Sequence, residues 1–250
     1  MEPLANTKMA QITLDPINRI PLLKDSPAQP GPEPKLPISK SHTYPPPNSN
    51  NDTNGSLFFI GNATTLLTYY SARILTDPNF LYAGDHVHLG PGVTSTRLHD
   101  PIVDLDALPP VDCILLSHYH EDHFDAVVEG RLRREVLILT SEHAEGCLSG
   151  KGEGDGGKGF TNVVGLGFWE GVVMPVKTGE GGKRPAVKVT GMPGKHVPPG
   201  SLAVANELLG AVPPTNGWMV ELGYLKDGEG DRMETGYRVY ISGDMLLWTS

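Results

Sequence analysis

From residue 57 onward the chain is dominated by short apolar runs separated by breaks rich in glycine, proline and aspartate. Runs of this kind, carrying valine, isoleucine and threonine, read as strands. Where they are continuous rather than alternating, both faces are expected to be buried. The pattern predicts strands at 57–60, 65–70, 73–76, 112–117, 136–140, 163–166, 171–176, 186–190, 218–224 and 238–242. A helix is predicted over 125–135, with Ala126, Val127, Val128 and Leu132 as its apolar positions. A shorter helix follows Ser141, a residue suited to an N-cap. The stretch between Asp77 and Pro101 reads as a long loop, and Gly150 to Gly159 as a glycine-rich surface loop. Strand-rich halves with few helices imply an α/β protein, layered as a sandwich with helices outside.

The apolar run Cys113-Ile114-Leu115-Leu116 ends at Ser117 and is followed by His118-Tyr119-His120-Glu121-Asp122-His123. In an extended segment alternate residues share one side, so His118, His120 and Asp122 converge while His123 faces elsewhere and suits a neighbouring ion. Imidazole and carboxylate are good ligands for zinc, whereas magnesium and calcium prefer all-oxygen shells. Imidazoles packed this closely repel one another once protonated, so a shared cation accounts for the cluster more simply than a solvated loop does. Asp77, before Pro78, opens a turn or orients an imidazole as an acceptor. His86, His88, His99 and His143 read as surface or structural residues.

The His-x-His-x-Asp-His segment resembles the signature of the metallo-β-lactamase superfamily of hydrolases. Gly61-Asn62-Ala63-Thr64-Thr65-Leu66-Leu67 and Ile74-Leu75-Thr76-Asp77-Pro78 are similar to the opening strands of one branch. That branch includes ascorbate-6-phosphate lactonase and N-acyl-phosphatidylethanolamine phospholipase D. Pro193-Gly194-Lys195-His196 and Ile241-Ser242-Gly243-Asp244 resemble its later motifs in the same order. The resemblance implies a four-layer αββα sandwich holding one or two zinc ions, with manganese as an alternative. His118, His120 and His196 would hold the first ion and Asp122 and His123 the second, with Asp244 bridging. It implies hydrolysis of a small ester, lactone, amide or phosphodiester by hydroxide generated at the metal, with Asp122 or Asp244 relaying the proton. Iron-dependent relatives usually carry glutamate where this chain has His120.

One departure stands out. Only Met245-Leu246-Leu247-Trp248-Thr249-Ser250 follow Asp244, and the family's last metal histidine is not among them. The expectation is therefore a domain over 51–250 lacking its final strands and helix. A catalytically impaired relative with a binding role is the alternative.

Composition changes the picture at the N-terminus. Of the 23 prolines among 250 residues, eight crowd between Pro27 and Pro47, so residues 1 to about 50 read as an unpacked leader. A net charge of -9 argues against nucleic acid as a partner and leaves a small-molecule substrate. Arg131, Arg133 and Arg134 form a basic knot expected on an exposed helix face. Two cysteines make no disulfide framework, and Cys113 reads as a buried strand residue. With no secretory core and no apolar run near the ~20 residues of a membrane span, a cytoplasmic location is expected. The sequence does not indicate an oligomeric state.

Overall fold

In the computed structural model the described residues are 12–26, 34–37, 55–90, 93–150, 159–178, 184–195, 212–226 and 232–244, with isolated positions between 197 and 210. The glycine-rich segment 151–158 and most of the leader lie outside them.

A six-stranded sheet runs in the order β1 (Gly55–Gly61), β2 (Thr64–Tyr69), β3 (Ala72–Thr76), β6 (Cys113–Leu115), β7 (Ile138–Ser141) and β8 (Val163–Leu166). β1, β2 and β3 pair antiparallel, whereas β3, β6, β7 and β8 are parallel neighbours. The parallel strands are the continuously apolar ones, and the reason is visible in their packing. Leu75, Ile114 and Ile138 enter one cluster with Val128 and Leu148 from the helices α1 (Ala126–Arg131) and α2 (Glu142–Ser149), and with Leu132 just past the end of α1. Ile74, Cys113, Leu115 and Leu139 enter a second cluster against another sheet. That sheet is antiparallel, in the order β12 (Met233–Ile241), β11 (Asn216–Leu225), β10 (Arg184–Pro193), β9 (Gly171–Pro175). It contributes Met174, Val187, Val189, Trp218, Val220 and Leu222 to the shared core. Among the described residues this makes three layers, helices on sheet on sheet. On the far side of the second sheet the described cluster is small and made of strand residues, Val173, Ala186 and Leu225 with Met233 beside them. No helix among the described residues is long and apolar enough to cross a membrane.

Three expectations change. Residues 12–26 are not bare leader. Leu14 bridges Val176, Leu23 bridges Leu132, and Leu14, Leu22 and Leu23 are buried. Arg19 makes a bidentate pair with Asp112 at 2.9 Å. Apolar burial and this ion pair offset the ordering entropy that proline-rich neighbours cannot. The bridge also shortens α1, because Leu132 turns extended to meet Leu23 and so ends the helix. The long loop after Asp77 contains a hairpin, β4 (His86–Gly90) with β5 (Val93–Thr96), in a small sheet of its own. Finally, the arginine knot is engaged rather than simply solvated. Arg131 pairs with Asp25 and Asp106, Arg133 bonds the Leu23 carbonyl, and Arg134 stacks over Phe160 at 4.4 Å.

Candidate metal centre

The parallel strands all point their carboxyl ends the same way, and the histidine segment starts where β6 stops. Ligand sites in open α/β sheets collect at that edge, because the chain there leaves the ladder and is at liberty to present side chains. The segment does not stay extended. His123 and Phe124 both donate backbone N–H groups to the His120 carbonyl, at 3.0 and 2.8 Å. This turn carries His123 back towards His118, whose ring lies 4.3 Å from it, rather than away. Asp125 then caps α1 by accepting from Val128 at 2.8 Å, and its other oxygen accepts from the Phe80 N–H at 2.7 Å. Burial raises the Asp125 pKa.

The side chains fall into two overlapping groups. Ligand atoms of His118, His120 and Asp122 lie within 4.8 Å of one another, and so do those of His118, His123 and Asp244. His118 belongs to both, is fully buried, and is oriented through Nδ1 by Ser117 Oγ at 2.9 Å and Thr215 Oγ1 at 3.3 Å. The His118 and His120 rings stack at 5.7 Å, and His120 Nδ1 lies 2.8 Å from Asp122 Oδ1. His123 Nε2 lies 3.3 Å from Asp244 Oδ1 and 3.8 Å from Asp122 Oδ2. Asp122 thus faces His120 through Oδ1 and His123 through Oδ2. His196 lies outside the described residues.

Asp77 does more than open a turn. Its Oδ1 accepts from the Ser117 N–H at 2.7 Å, and its Oδ2 from Ser117 Oγ at 3.0 Å and faces His123 Nδ1 at 3.1 Å. It holds a φ of 33°, a left-handed conformation unfavourable for a residue with a Cβ. A carboxylate on Nδ1 sets the tautomer that presents Nε2 towards Asp244. We expect Asp77→Ala to weaken metal binding about 10- to 100-fold, measured by competition with a zinc chelator. It should also lower the melting temperature of the metal-free chain, because the buried Ser117 N–H loses its acceptor.

Asp244 follows β12 through Gly243, whose φ of 56° suits glycine. A Cβ there would stand 2.9 Å from the Asn216 carbonyl and 3.0 Å from Ser117 Cβ. Gly243 therefore lets the end of β12 close onto the segment that starts the histidine cluster. Asn216 completes the junction by donating its N–H to the Ser117 carbonyl at 3.0 Å. Sequence reading did not single out Ser117, Thr215 or Asn216 for a role. Only the position of Ser117, directly before the histidines, offered a signal.

The electrostatics favour a cation. Burial alone lowers the His123 pKa, but hydrogen bonds to Asp244 and Asp77 and the Asp122 charge outweigh it and raise the value to about 10. Burial likewise pushes Asp122 up, yet the His120 hydrogen bond and the His123 charge leave it below the usual carboxylate range. The carboxylates around His123 thus hold a proton where a metal would compete for the same nitrogen. The 3.3 Å between His123 Nε2 and Asp244 Oδ1 also matches the spacing of neighbouring tetrahedral ligands at zinc bond lengths of about 2.0–2.1 Å. The donor set fits a transition metal.

A cavity of about 780 Å³ opens beside Asp122, His123 and Asp244. It extends along Asn62, Thr65 and Leu67 to the β5 end at Arg97 and His99.

No family model matches the chain. An uncharacterized protein of Mycobacterium tuberculosis, Rv0906, is 42% identical over 67 residues, covering 27% of this chain and 17% of that protein. The isothiocyanate hydrolase from Delia radicum gut bacteria aligns with a TM-score of 0.52 at 21% identity, over 77% of this chain and 64% of that one. A protein from Veillonella parvula DSM 2008, described as a possible metal-dependent hydrolase, aligns with a TM-score of 0.51 at 18% identity, over 77% and 63%. The chain thus spans less than two thirds of the length of each of these three proteins. At these identities the structural likeness speaks to architecture, and this chain shares its fold with the isothiocyanate hydrolase and the Veillonella parvula protein.

Proposed function

We propose that this chain is a metal-dependent hydrolase of the metallo-β-lactamase type, acting on a small ester, lactone, amide or phosphodiester with zinc in its site. The observation that carries the reading is the pair of His/Asp groups sharing His118 at the carboxyl edge of β6, with a cavity alongside. His118, His120, His123, Asp122 and Asp244 are the proposed ligands, and His196 joins them on the resemblance. Residues 51–250, tied by the 12–26 segment, make up the proposed hydrolase unit.

A divalent cation held there would supply Lewis acidity and neutralise developing oxyanion charge. The chain's own groups do the rest. Asp77 keeps His123 in one tautomer, and Ser117 and Thr215 fix the His118 ring. Asp122 and Asp244, carboxylates at the cavity edge, would take up and return a proton. No serine or cysteine nucleophile is needed, and Cys113 is unsuited to that role because burial drives its thiol pKa up.

The test is elemental analysis of the purified full chain together with a panel of lactones, aryl esters and bis-aryl phosphodiesters. One or two zinc ions per chain are expected. Chelation should abolish turnover, and zinc or manganese should restore it. A folded chain that holds no transition metal and gains nothing on its addition overturns the proposal. Bound zinc with no turnover across the panel would favour the binding role instead.

A further inference from the structure

Arg97 follows β5, is only 8% exposed, and lines the same cavity as Asp122, His123 and Asp244. A guanidinium remains charged at physiological pH, so burying one is unfavourable unless an anion compensates it. Its hydrogen-bond partners are neutral. Nη1 donates to Asn79 Oδ1 at 2.7 Å and Nε to the His99 carbonyl at 2.9 Å. Among the described residues no carboxylate forms an ion pair with it. Asp125 and Asp100 act on it only through space, and burial lowers its pKa despite them.

The group is nonetheless held in a made-to-fit position. Arg97 exchanges backbone hydrogen bonds with the turn before β4, donating to the Asp85 carbonyl and accepting from the Gly84 N–H, both at 2.9 Å. The β1–β2 turn passes close beside it. Gly61 has a φ of 155°, and a Cβ there would stand 2.9 Å from Arg97 Nη2, so glycine at 61 leaves room for the fork. Asn79, which fixes Nη1, is itself anchored. Its N–H donates to Thr64 Oγ1 at 3.0 Å, and its Nδ2 donates to the Glu121 carbonyl at 3.0 Å. Glu121 sits between His120 and Asp122. One residue therefore registers the guanidinium against the loop that carries the metal ligands.

Of the described residues lining the cavity, Arg97 alone is a lysine or arginine, while Leu57, Leu67, Val87 and Ile241 provide apolar wall. The cavity thus has a cationic station at Arg97, an apolar stretch, and the His/Asp cluster. A planar fork with donors to spare is suited to bidentate capture of an oxyacid group.

We infer that Arg97 is the specificity-determining residue of this cavity, receiving the carboxylate or phosphate of a small substrate whose scissile bond sits at the His118–His123–Asp244 cluster. The inference rests on the hydrolase reading for the bond that is cut, but not for the anion that is bound.

Two measurements on the full chain keep these apart. The first is calorimetry of chelator-treated protein with inorganic phosphate and, separately, glutarate. Saturable binding is expected for at least one, weakened about tenfold or more in Arg97→Gln and less in Arg97→Lys, which keeps charge but not the fork. The two probes show whether phosphate or carboxylate is preferred. The second is hydrolysis by the zinc-loaded chain of 4-nitrophenyl acetate against mono(4-nitrophenyl) glutarate. The anionic ester should be favoured about tenfold or more in kcat/KM, and Arg97→Gln should collapse that ratio towards unity. Absence of phosphate and glutarate binding, or binding indifferent to Arg97→Gln, overturns the inference, as does a wild-type chain that hydrolyses both esters equally. Should Arg97→Gln fail to fold, the wild-type binding and ester ratio still decide it. Arg97-dependent binding with neither ester cut would uphold the anion station and count against the hydrolase reading.

Discussion

Replacing His118 by alanine is expected to strip the chain of zinc and abolish its hydrolytic turnover. His118 is the member common to both ligand groups, so its loss weakens both at once. The effect on metal affinity should exceed the roughly 10- to 100-fold expected for an outer partner such as Asp77. Elemental analysis after dialysis and the ester and phosphodiester panel provide the measurements. The same substitution at His120 touches one group only and should leave partial loading. Equal zinc content in His118→Ala and the unmodified chain would refute the shared-ligand geometry. Melting both proteins in chelator separates metal loss from misfolding. There His118→Ala should melt somewhat lower but still cooperatively, since removing the buried ring leaves a cavity and takes a partner from the Ser117 and Thr215 hydroxyls.

The second large effect concerns stability. Trp218 is fully buried between the two sheets, in the cluster that holds Leu115, Leu139, Val187 and Val189. Trp218→Ala should cost about 3–5 kcal/mol through lost transfer energy and the cavity left behind. For a domain of this size that corresponds to a fall of about 10 °C in melting temperature. Trp218→Phe should cost far less. The indole N–H has no hydrogen-bond partner among the described residues, so the smaller ring removes a buried donor while filling much of the space. Thermal denaturation in chelator and in zinc reads both variants. A loss for Phe equal to that for Ala would show that the intersheet core is not close-packed around this side chain.

Much of the strand framework was legible in advance because its cause is local. The run 113–116 is apolar at every position because both faces of β6 are covered, by helices on one side and a sheet on the other. The same holds around Ile74 and Leu75 in β3 and around Ile138 and Leu139 in β7. Ser141 was legible as a helix start for an equally local reason, since its hydroxyl accepts from the Ala144 N–H at 3.3 Å. The β4–β5 hairpin was not, although His86-Val87-His88-Leu89 alternates and Pro91-Gly92 is a turn signal, because the strands are short and the three glycine and proline residues 90–92 read as loop. The packing of residues 12–26 was hidden too, as its partners Leu132, Asp112 and Val176 lie far along the chain.

For the candidate site, the residue types and their proximity to a strand end were written in the chain, and chemistry alone pointed those types towards a transition metal. Their grouping was not. An extended reading sent His123 away from His118, whereas two hydrogen bonds to the His120 carbonyl turn it back. The hydrogen bonding of Asp77 to His123 spans 46 positions, and the approach of Asp244 depends on β12 ending beside Ser117. The cavity and the place of Arg97 within it likewise belong to no single segment. Sequence by itself determined which groups could bind a cation and which runs had to be buried, since both follow from side-chain chemistry and short-range periodicity. Tertiary structure decided which carboxylate meets which imidazole, because contacts between distant strands are set by sheet order and register, quantities that no local window contains.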